Sequence, residues 1–86
     1  NGICTLDDNL RWENICAHLK NIHLAIEDGV NLTGYLYWSL MDNFEWDKGI
    51  GPKFGLIDID YSTYKRTVRE SARLFGQVCK TGVLEC

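Results

Sequence analysis

Two tryptophans and a glutamate are the residues of this sequence whose types and spacing best suit ligand chemistry. Glu45 lies between Trp38 and Trp46 at the end of an apolar run. Indole rings offer flat π faces that pack against the C–H faces of a pyranose ring, and an ionised carboxylate accepts short hydrogen bonds from paired hydroxyls. This combination predicts a sugar-binding site. The alternative is that both indoles are core aromatics and that Glu45 is a solvated charge.

The apolar run before Glu45 predicts the element that carries this site. Residues 34–40 are too apolar for a strand with one wet face, so they predict a strand buried on both faces. Residues 41–55 then form a long loop that holds Gly49, Gly51, Gly55 and Pro52, the only proline of the chain. Long loops in compact domains are usually functional, and α/β enzymes keep their sites where strands end and loops begin.

Amphipathic patterns predict a helix on each side of this region. Asp7 or Asp8 caps a first helix that Gly29 ends, with His23 in its core face and His18 on its surface. Its apolar stripe consists of Trp12, Ile15, Cys16, Leu19, Ile22, His23 and Ile26. Residues 56–60 alternate apolar and acidic and predict a short strand whose Asp58 and Asp60 are solvated.

A capping-box pattern predicts the start of the second helix. Thr67 and Glu70 have the spacing in which each side chain bonds a free backbone N–H, which indicates a helix over about 68–80 that Gly82 ends. Two helices cannot cover both faces of a buried strand or pair its edges. The sequence is therefore interpreted as a segment of a larger α/β domain.

Composition excludes several classes of protein. The 86 residues are 45% hydrophobic and 24% charged, with a net charge of −3. Without a basic cluster, binding to nucleic acid or to an anionic membrane is not expected. No apolar segment approaches the roughly 20 residues that span a bilayer. The sequence has no targeting peptide and begins with Asn1 in place of Met, which predicts a processed, cleaved or truncated chain.

The four cysteines permit three disulfide pairings but suggest no metal site. Cys4, Cys16, Cys79 and Cys86 form no Cys-x-x-Cys pair, and neither histidine has metal-ligand spacing from them. Cys16 and Cys79 fall on apolar helix faces, where free cysteine behaves as a small hydrophobe. We therefore expect reduced thiols in a cytoplasmic protein, with secretion as the alternative.

Taken together, the sequence resembles the C-terminal part of glycoside hydrolase family 1, the β-glucosidase family. The block Trp38-Ser39-Leu40-Met41-Asp42-Asn43-Phe44-Glu45-Trp46 is the most specific match. Shorter matches occur in the family's order through about residue 75: Asn1-Gly2, Asp7-Asp8-x-x-Arg11, His18-Leu19, Ala25-Ile26-x-Asp28-Gly29-Val30-Asn31, Gly34-Tyr35, Phe54-Gly55-Leu56, Asp60-Tyr61, Lys65-Arg66-Thr67 and Ser71-Ala72.

The resemblance implies an α/β fold, the (β/α)8 TIM barrel. Residues 1–86 would be its seventh helix, eighth strand and eighth helix, without an internal domain boundary, and would need the remainder of the barrel as a partner. In this family the nucleophile is the Glu of Thr-Glu-Asn-Gly, which would immediately precede Asn1, and the acid/base Glu lies in an upstream Asn-Glu-Pro motif. The chain alone is therefore expected to contain no catalytic residue and to be inactive, and no cofactor or metal is expected.

The resemblance also implies roles for four residues in binding the glycone, the sugar that is cleaved off. Trp38 would be the stacking platform, Glu45 the acceptor for O4 and O6, Trp46 the donor to O3, and Phe54 the aromatic that closes the pocket near C6. Glu45 would repel a 6-phosphate, and Pro52 and Phe54 replace the Lys and Tyr of the phospho-glycosidase branch. An unphosphorylated sugar is therefore expected.

Three functions remain open at this point. The first is retaining hydrolysis of β-D-glucosides, or of related galactosides and fucosides, by the complete barrel. The second is a barrel of the same family that binds sugar or a protein partner without hydrolysis, and the residue before Asn1 would distinguish the two. The third is an 86-residue lectin held by disulfides between all four cysteines. Ile50 and Lys53 depart from the family pattern, which leaves the aglycone preference open.

Overall fold

The computed structural model describes residues 1–44 and 48–86, which form two helices and a two-stranded sheet. In chain order these are α1 (Asp8–Glu27), β1 (Ile57–Asp60), β2 (Lys65–Val68) and α2 (Glu70–Thr81). β1 and β2 are antiparallel, with Ile57 opposite Val68 and Asp60 opposite Lys65. The two helices pack against each other. The chain is α/β, as the sequence predicted.

The first predicted helix is confirmed at both ends. The Asp7 side chain accepts a hydrogen bond from the Asn9 amide at 3.0 Å, and α1 ends just before Gly29, which has a φ of 94°. The buried residues of α1 are Arg11, Ile15 and Cys16. The prediction of a buried His23 is wrong, because the second half of α1 projects beyond the core. His23 is exposed there, with its Nε2 3.1 Å from the carboxylate of Glu27.

The predicted strand over residues 34–40 is not formed. These residues have no regular secondary structure, and Leu36 is 89% exposed. Directly after them, Met41 forms an isolated parallel β-bridge with Ile57. A strand buried on both faces needs neighbouring strands along its length. Among the described residues, backbone hydrogen bonds to other segments are made at 38–40, the last of them between the Leu40 carbonyl and the Ile57 amide at the start of β1.

The predicted capping box is wrong, although the helix that it preceded is present. Thr67 lies in β2 opposite Asp58, and α2 begins at Glu70. Arg69 occupies the N-cap position without a side-chain capping bond. The predicted C-terminal stop is confirmed, since Gly82 caps α2 in the left-handed conformation with a φ of 73°.

The expectation of reduced thiols fails for two of the four cysteines. The chain after α2 returns to α1 and brings the Cα atoms of Cys16 and Cys86 to 6.2 Å, within the range that a disulfide spans, and the two sulfurs are bonded. Cys4 and Cys79 are exposed free thiols. One disulfide is therefore present, whereas the lectin hypothesis requires two.

The core of the described residues is small and as polar as it is apolar. Its buried apolar side chains are Ile15, Cys16, Leu56 and Ile59, and its buried polar ones are Arg11, Ser39, Asp42 and Ser71. The chain exposes 6066 Å², whereas a compact monomer of this size exposes about 5,200 Å². Large apolar side chains such as Leu24, Val30 and Leu40 remain at the surface.

Candidate functional site

The structure describes two of the four predicted glycone-binding residues. Trp38 is 50% exposed and follows residues 34–37, which have no regular secondary structure, and Phe54 is half-buried in the loop before β1. Glu45 and Trp46 lie outside the described residues. The described part of the predicted site is therefore the backbone that carries Trp38 and Phe54, together with the residues that lead toward Glu45.

Backbone hydrogen bonds join the Trp38 segment to the Phe54 segment. The Ser39 amide donates to the Phe54 carbonyl at 3.3 Å, and the Leu56 amide donates to the Ser39 carbonyl at 2.8 Å. The Ile57 amide continues this pairing to the Leu40 carbonyl at 2.8 Å. Trp38 and Phe54, which are 16 positions apart in sequence (54 − 38), thus lie on adjacent backbones.

The first two residues of the chain lie directly against Trp38. The Trp38 amide donates to the Asn1 carbonyl at 2.6 Å. A Cβ atom at Gly2 would overlap the carbonyl oxygen of Trp38, so only glycine fits at this position. The backbone at Asn1 is therefore held beside the predicted stacking platform.

Asp42 is a buried carboxylate that ties together the segments around the site. It is 1% exposed and accepts hydrogen bonds from the Gly55 amide at 2.9 Å and the Ile59 amide at 3.4 Å. Arg69 donates to both of its oxygens at 3.1 Å, and Lys53 Nζ lies 3.6 Å away. Burial alone would raise the pKa of Asp42, but these donors, Arg69 foremost, hold the pKa below its ordinary value. Asp42 is therefore a structural anion.

The turn that leads to Glu45 is held on its N-terminal side. Asn43 Nδ2 donates to Ser39 Oγ at 3.1 Å and to the Met41 carbonyl at 3.0 Å. The hydroxyl of Tyr61, beyond β1, donates to the Asp42 carbonyl at 2.6 Å. The chain therefore enters the segment of Glu45 and Trp46 from a fixed backbone.

Two arginines near the site have roles that sequence reasoning missed. Arg11 is 0% exposed and donates to the Thr5 carbonyl at 2.5 Å, to the Lys53 carbonyl at 2.9 Å and to Asp8 at 2.9 Å. Arg69 donates to the Gly55 carbonyl besides its bonds with Asp42 and Asp58. A signal for Arg11 was present, because it lies four positions before Ile15 on the buried face of α1. Asp58, predicted to be solvated, pairs with Arg69 at 3.1 Å.

The described ranges hold neither a cluster of metal ligands nor a membrane-spanning helix. Residues 1–44 and 48–86 contain no group of three or more His, Cys, Asp or Glu side chains placed to hold a metal ion. No helix in the same ranges is long and apolar enough to cross a bilayer.

Comparisons with known proteins point to a single family. The family model of glycosyl hydrolase family 1 matches residues 1–83. Beta-glucosidase A of Thermotoga maritima is 44% identical over 78 residues, which are 91% of this chain and 18% of that protein. A beta-galactosidase of Saccharolobus solfataricus is 37% identical over 84 residues, which are 98% of this chain and 17% of that protein.

The solved structures agree with the sequence relatives. A beta-glycosidase from Pyrococcus horikoshii superimposes with a TM-score of 0.96 at 49% identity, over 100% of this chain and 20% of that one. The chain thus spans about a fifth of the length of the proteins it matches, and these structural neighbours are TIM-barrel β-glycosidases. The resemblance predicted from the Trp38–Trp46 block is confirmed, and the chain belongs to glycosyl hydrolase family 1.

Proposed function

We propose that these residues are the C-terminal part of a (β/α)8 barrel that hydrolyses β-glycosidic bonds with retention of configuration. In this proposal α1 is the seventh helix, residues 34–40 the eighth strand and α2 the eighth helix, and residues 1–86 have no domain boundary among them. The exposed apolar side chains of 34–40, Leu36 and Leu40 among them, support this arrangement, since neighbouring strands and helices would cover them. The strand then forms when its partners are present.

The observation that carries the proposal is the contact between the Asn1 carbonyl and the Trp38 amide at 2.6 Å. A glutamate immediately before Asn1 would be bonded to the residue whose carbonyl accepts from the amide of Trp38, the residue proposed to stack against the sugar. A carboxylate there could attack the anomeric carbon of a ring resting on Trp38. Gly2 has no space for a side chain, which supports a backbone packed closely against the site.

The chain's own share of the chemistry is to bind and orient the glycone. Trp38 would stack under the ring, Glu45 would accept from O4 and O6, Trp46 would donate to O3, and Phe54 would close the pocket near C6. Retaining hydrolysis needs two carboxyl groups about 5–5.5 Å apart, one that attacks and one that protonates the leaving oxygen. Both are expected outside residues 1–86, so this chain alone would be inactive. The proposed substrates are unphosphorylated β-D-glucosides or related β-glycosides, and the proposed location is the cytoplasm.

Active-site labelling of the full-length protein tests the proposal. A 2-deoxy-2-fluoro-β-glucosyl inactivator should stop turnover of para-nitrophenyl β-D-glucoside, and peptide mapping should find the label on a Glu that directly precedes Asn1-Gly2-Ile3. The isolated 86-residue chain is the control and should neither turn over nor become labelled. Sugar binding by the full-length protein without turnover or label would instead establish the non-hydrolysing alternative.

A further inference from the structure

The backbone on both sides of Phe54 is held by two arginines from different elements, the buried Arg11 and the largely buried Arg69. Arg11, in the second turn of α1, donates Nη2 to the carbonyl of Lys53 at 2.9 Å. Arg69, at the N-cap of α2, donates Nη1 to the carbonyl of Gly55. The two acceptors are the residues immediately before and after Phe54.

Further hydrogen bonds leave this short stretch little freedom. The Thr5 amide also donates to the Lys53 carbonyl at 3.1 Å, the Ser39 amide donates to the Phe54 carbonyl at 3.3 Å, and the Gly55 amide donates to Asp42 at 2.9 Å. A Cβ atom at Gly55 would overlap the backbone at Met41 and Asp42. All three carbonyls from 53 to 55 are therefore engaged in a region where the chain has no regular secondary structure.

Guanidinium groups are better suited than ammonium groups to hold several backbone carbonyls in fixed positions. One planar fork donates to several acceptors at fixed angles, and here Arg69 reaches Gly55, Asp42 and Asp58, while Arg11 reaches Thr5, Lys53 and Asp8. Each charge is balanced by a carboxylate, Asp8 for Arg11 and Asp42 for Arg69. Both arginines are consequently held in place themselves, so they can fix the carbonyls that they contact.

We propose that Arg11 and Arg69 form a clamp that positions Phe54 and thereby sets how strictly the enzyme requires the hydroxymethyl group at C6 of its substrate. The inference rests on the proposed function, in which Phe54 closes the pocket near C6. Arg11 and Arg69 are positioning residues in this proposal, because they act through the backbone of Phe54 and need not touch the sugar. Loosening of either arm would let the aromatic ring retreat from C6.

The test compares two substrates that differ only at C6. In the full-length protein, kcat/KM is measured for para-nitrophenyl β-D-glucoside and for the matching β-D-xyloside, which lacks the hydroxymethyl group. Arg69→Lys and Arg11→Lys keep the charge but lose the fork, and each should lower the glucoside-to-xyloside ratio by about tenfold, the low end of what one carbon group is worth in a shaped pocket. Phe54→Ala should lower the ratio at least as far.

Two controls separate positioning from general damage. Arg73→Lys makes the same change in an exposed arginine that pairs with Glu70 and should leave the ratio unchanged. Ile15→Val removes a buried methyl group from α1 and no hydrogen bond of Arg11, Arg69 or residues 53–55, so it lowers stability and should likewise leave the ratio unchanged. In the Phe54→Ala background neither arginine variant should lower the ratio further, because coupled residues are not additive.

The outcomes distinguish failure of the clamp from failure of the Phe54 assignment and from failure of the proposed function. If Phe54→Ala lowers the ratio but both arginine variants keep the wild-type ratio, the clamp is refuted and the proposed function stands. If Phe54→Ala also leaves the ratio unchanged, Phe54 does not act at C6 and the inference falls with that assignment. If the wild-type protein hydrolyses neither of these nor the para-nitrophenyl β-D-galactoside and β-D-fucoside, the proposed function is refuted. If Arg69→Lys does not fold, Arg11→Lys, which leaves all the Asp42 contacts in place, provides the same comparison.

Discussion

Asp8, the first residue of α1, caps α2 from the opposite end of the chain. Its carboxylate accepts from the Ser71 amide at 2.8 Å and from the Ser71 hydroxyl at 2.6 Å, across a sequence separation of 63 residues. The same carboxylate pairs with Arg11 at 2.9 Å. Partial burial alone would raise the pKa of Asp8, but the bonds from Ser71 and Arg11 hold the pKa below its ordinary value. The Asp8 carboxylate therefore links the first turn of α1 to the first turn of α2.

Replacement of this anion should destabilise the protein in a pH-dependent way. Asp8→Asn in the full-length protein should lower the free energy of unfolding by about 1 kcal/mol at neutral pH, because a neutral amide oxygen accepts weaker hydrogen bonds from Ser71 and Arg11 than a carboxylate does. Because the folded-state pKa of Asp8 is lowered, its contribution is present above the ordinary value of 3.8 and is lost as the pH falls through the folded-state pKa. The difference between wild type and variant should therefore narrow in acid. This difference in the free energy of unfolding is measured by urea titrations at a series of pH values from neutral downward. Asp7→Asn, which makes the same change at the cap residue of α1, is the control. A pH-independent difference would contradict the role of charge.

Loss of Asp42 should be far more costly than loss of a surface partner. Asp42→Ala leaves Arg69 largely buried beside Asp58 without its main counter-ion, and breaking a buried pair in this way costs about 3–5 kcal/mol. Glu70→Ala removes a carboxylate from another arginine pair, that with Arg73, which is exposed to solvent, and should change stability little. Urea unfolding of the two full-length variants makes the comparison. Equal losses would show that the Asp42 network contributes no more than a surface pair.

Two glycine substitutions should have opposite effects. Gly55→Ala adds a methyl group where the backbone at Met41 and Asp42 leaves no space, and overpacking of this kind costs about 1–3 kcal/mol. Gly76→Ala adds the same group on the exposed side of α2, with nothing within 4 Å, and should stabilise the helix by about 0.5–1 kcal/mol. Thermal unfolding of both variants tests the pair, and a stabilising Gly55→Ala would refute the close packing described here.

Glu45, which lies outside the described residues, carries the strongest kinetic prediction. Glu45→Ala in the full-length enzyme should lower kcat/KM on β-D-glucosides by about 100-fold or more, which corresponds to roughly 3 kcal/mol of lost transition-state binding. Glu13→Ala removes an exposed carboxylate from α1 and serves as the matched control. A fall smaller than about tenfold in a folded variant would refute the assignment of Glu45 to O4 and O6.

The thiols can be counted on the protein as it is isolated. If lysis is carried out with an alkylating agent, denatured mass spectrometry should find Cys4 and Cys79 alkylated and Cys16 linked to Cys86. That result would favour the secreted alternative, because disulfides persist in oxidising compartments. Alkylation of all four cysteines would contradict the bridge and favour the proposed cytoplasmic location.

Local signals in the sequence were sufficient for some features of the fold and not for others. The Asp7 cap and the Gly29 stop were predictable because the partners lie within a few residues of α1. The Thr67 cap failed because Asp8 supplies the capping oxygens from 63 residues away, and the strand over 34–40 failed because strand pairing depends on neighbours outside the segment. The family block around Trp38 identified the family. The helical spacing indicated that Arg11 is buried, but the bonds of Arg11 and Arg69 to the carbonyls of Lys53 and Gly55 depend on residues distant in sequence.

The polar core has a consequence for exchange between homologues. The bonds that hold Trp38 and Phe54 in register, through Ser39, Asp42, Arg11 and Arg69, are all made within these 86 residues. A chimaera that received the whole segment from a relative would inherit both arms of the clamp with the aromatic ring they orient. Substrate preference at C6 should therefore be transferred between family members when the whole segment is exchanged. Exchange of residue 54 alone should not transfer it, because Arg11 and Arg69 would not accompany Phe54.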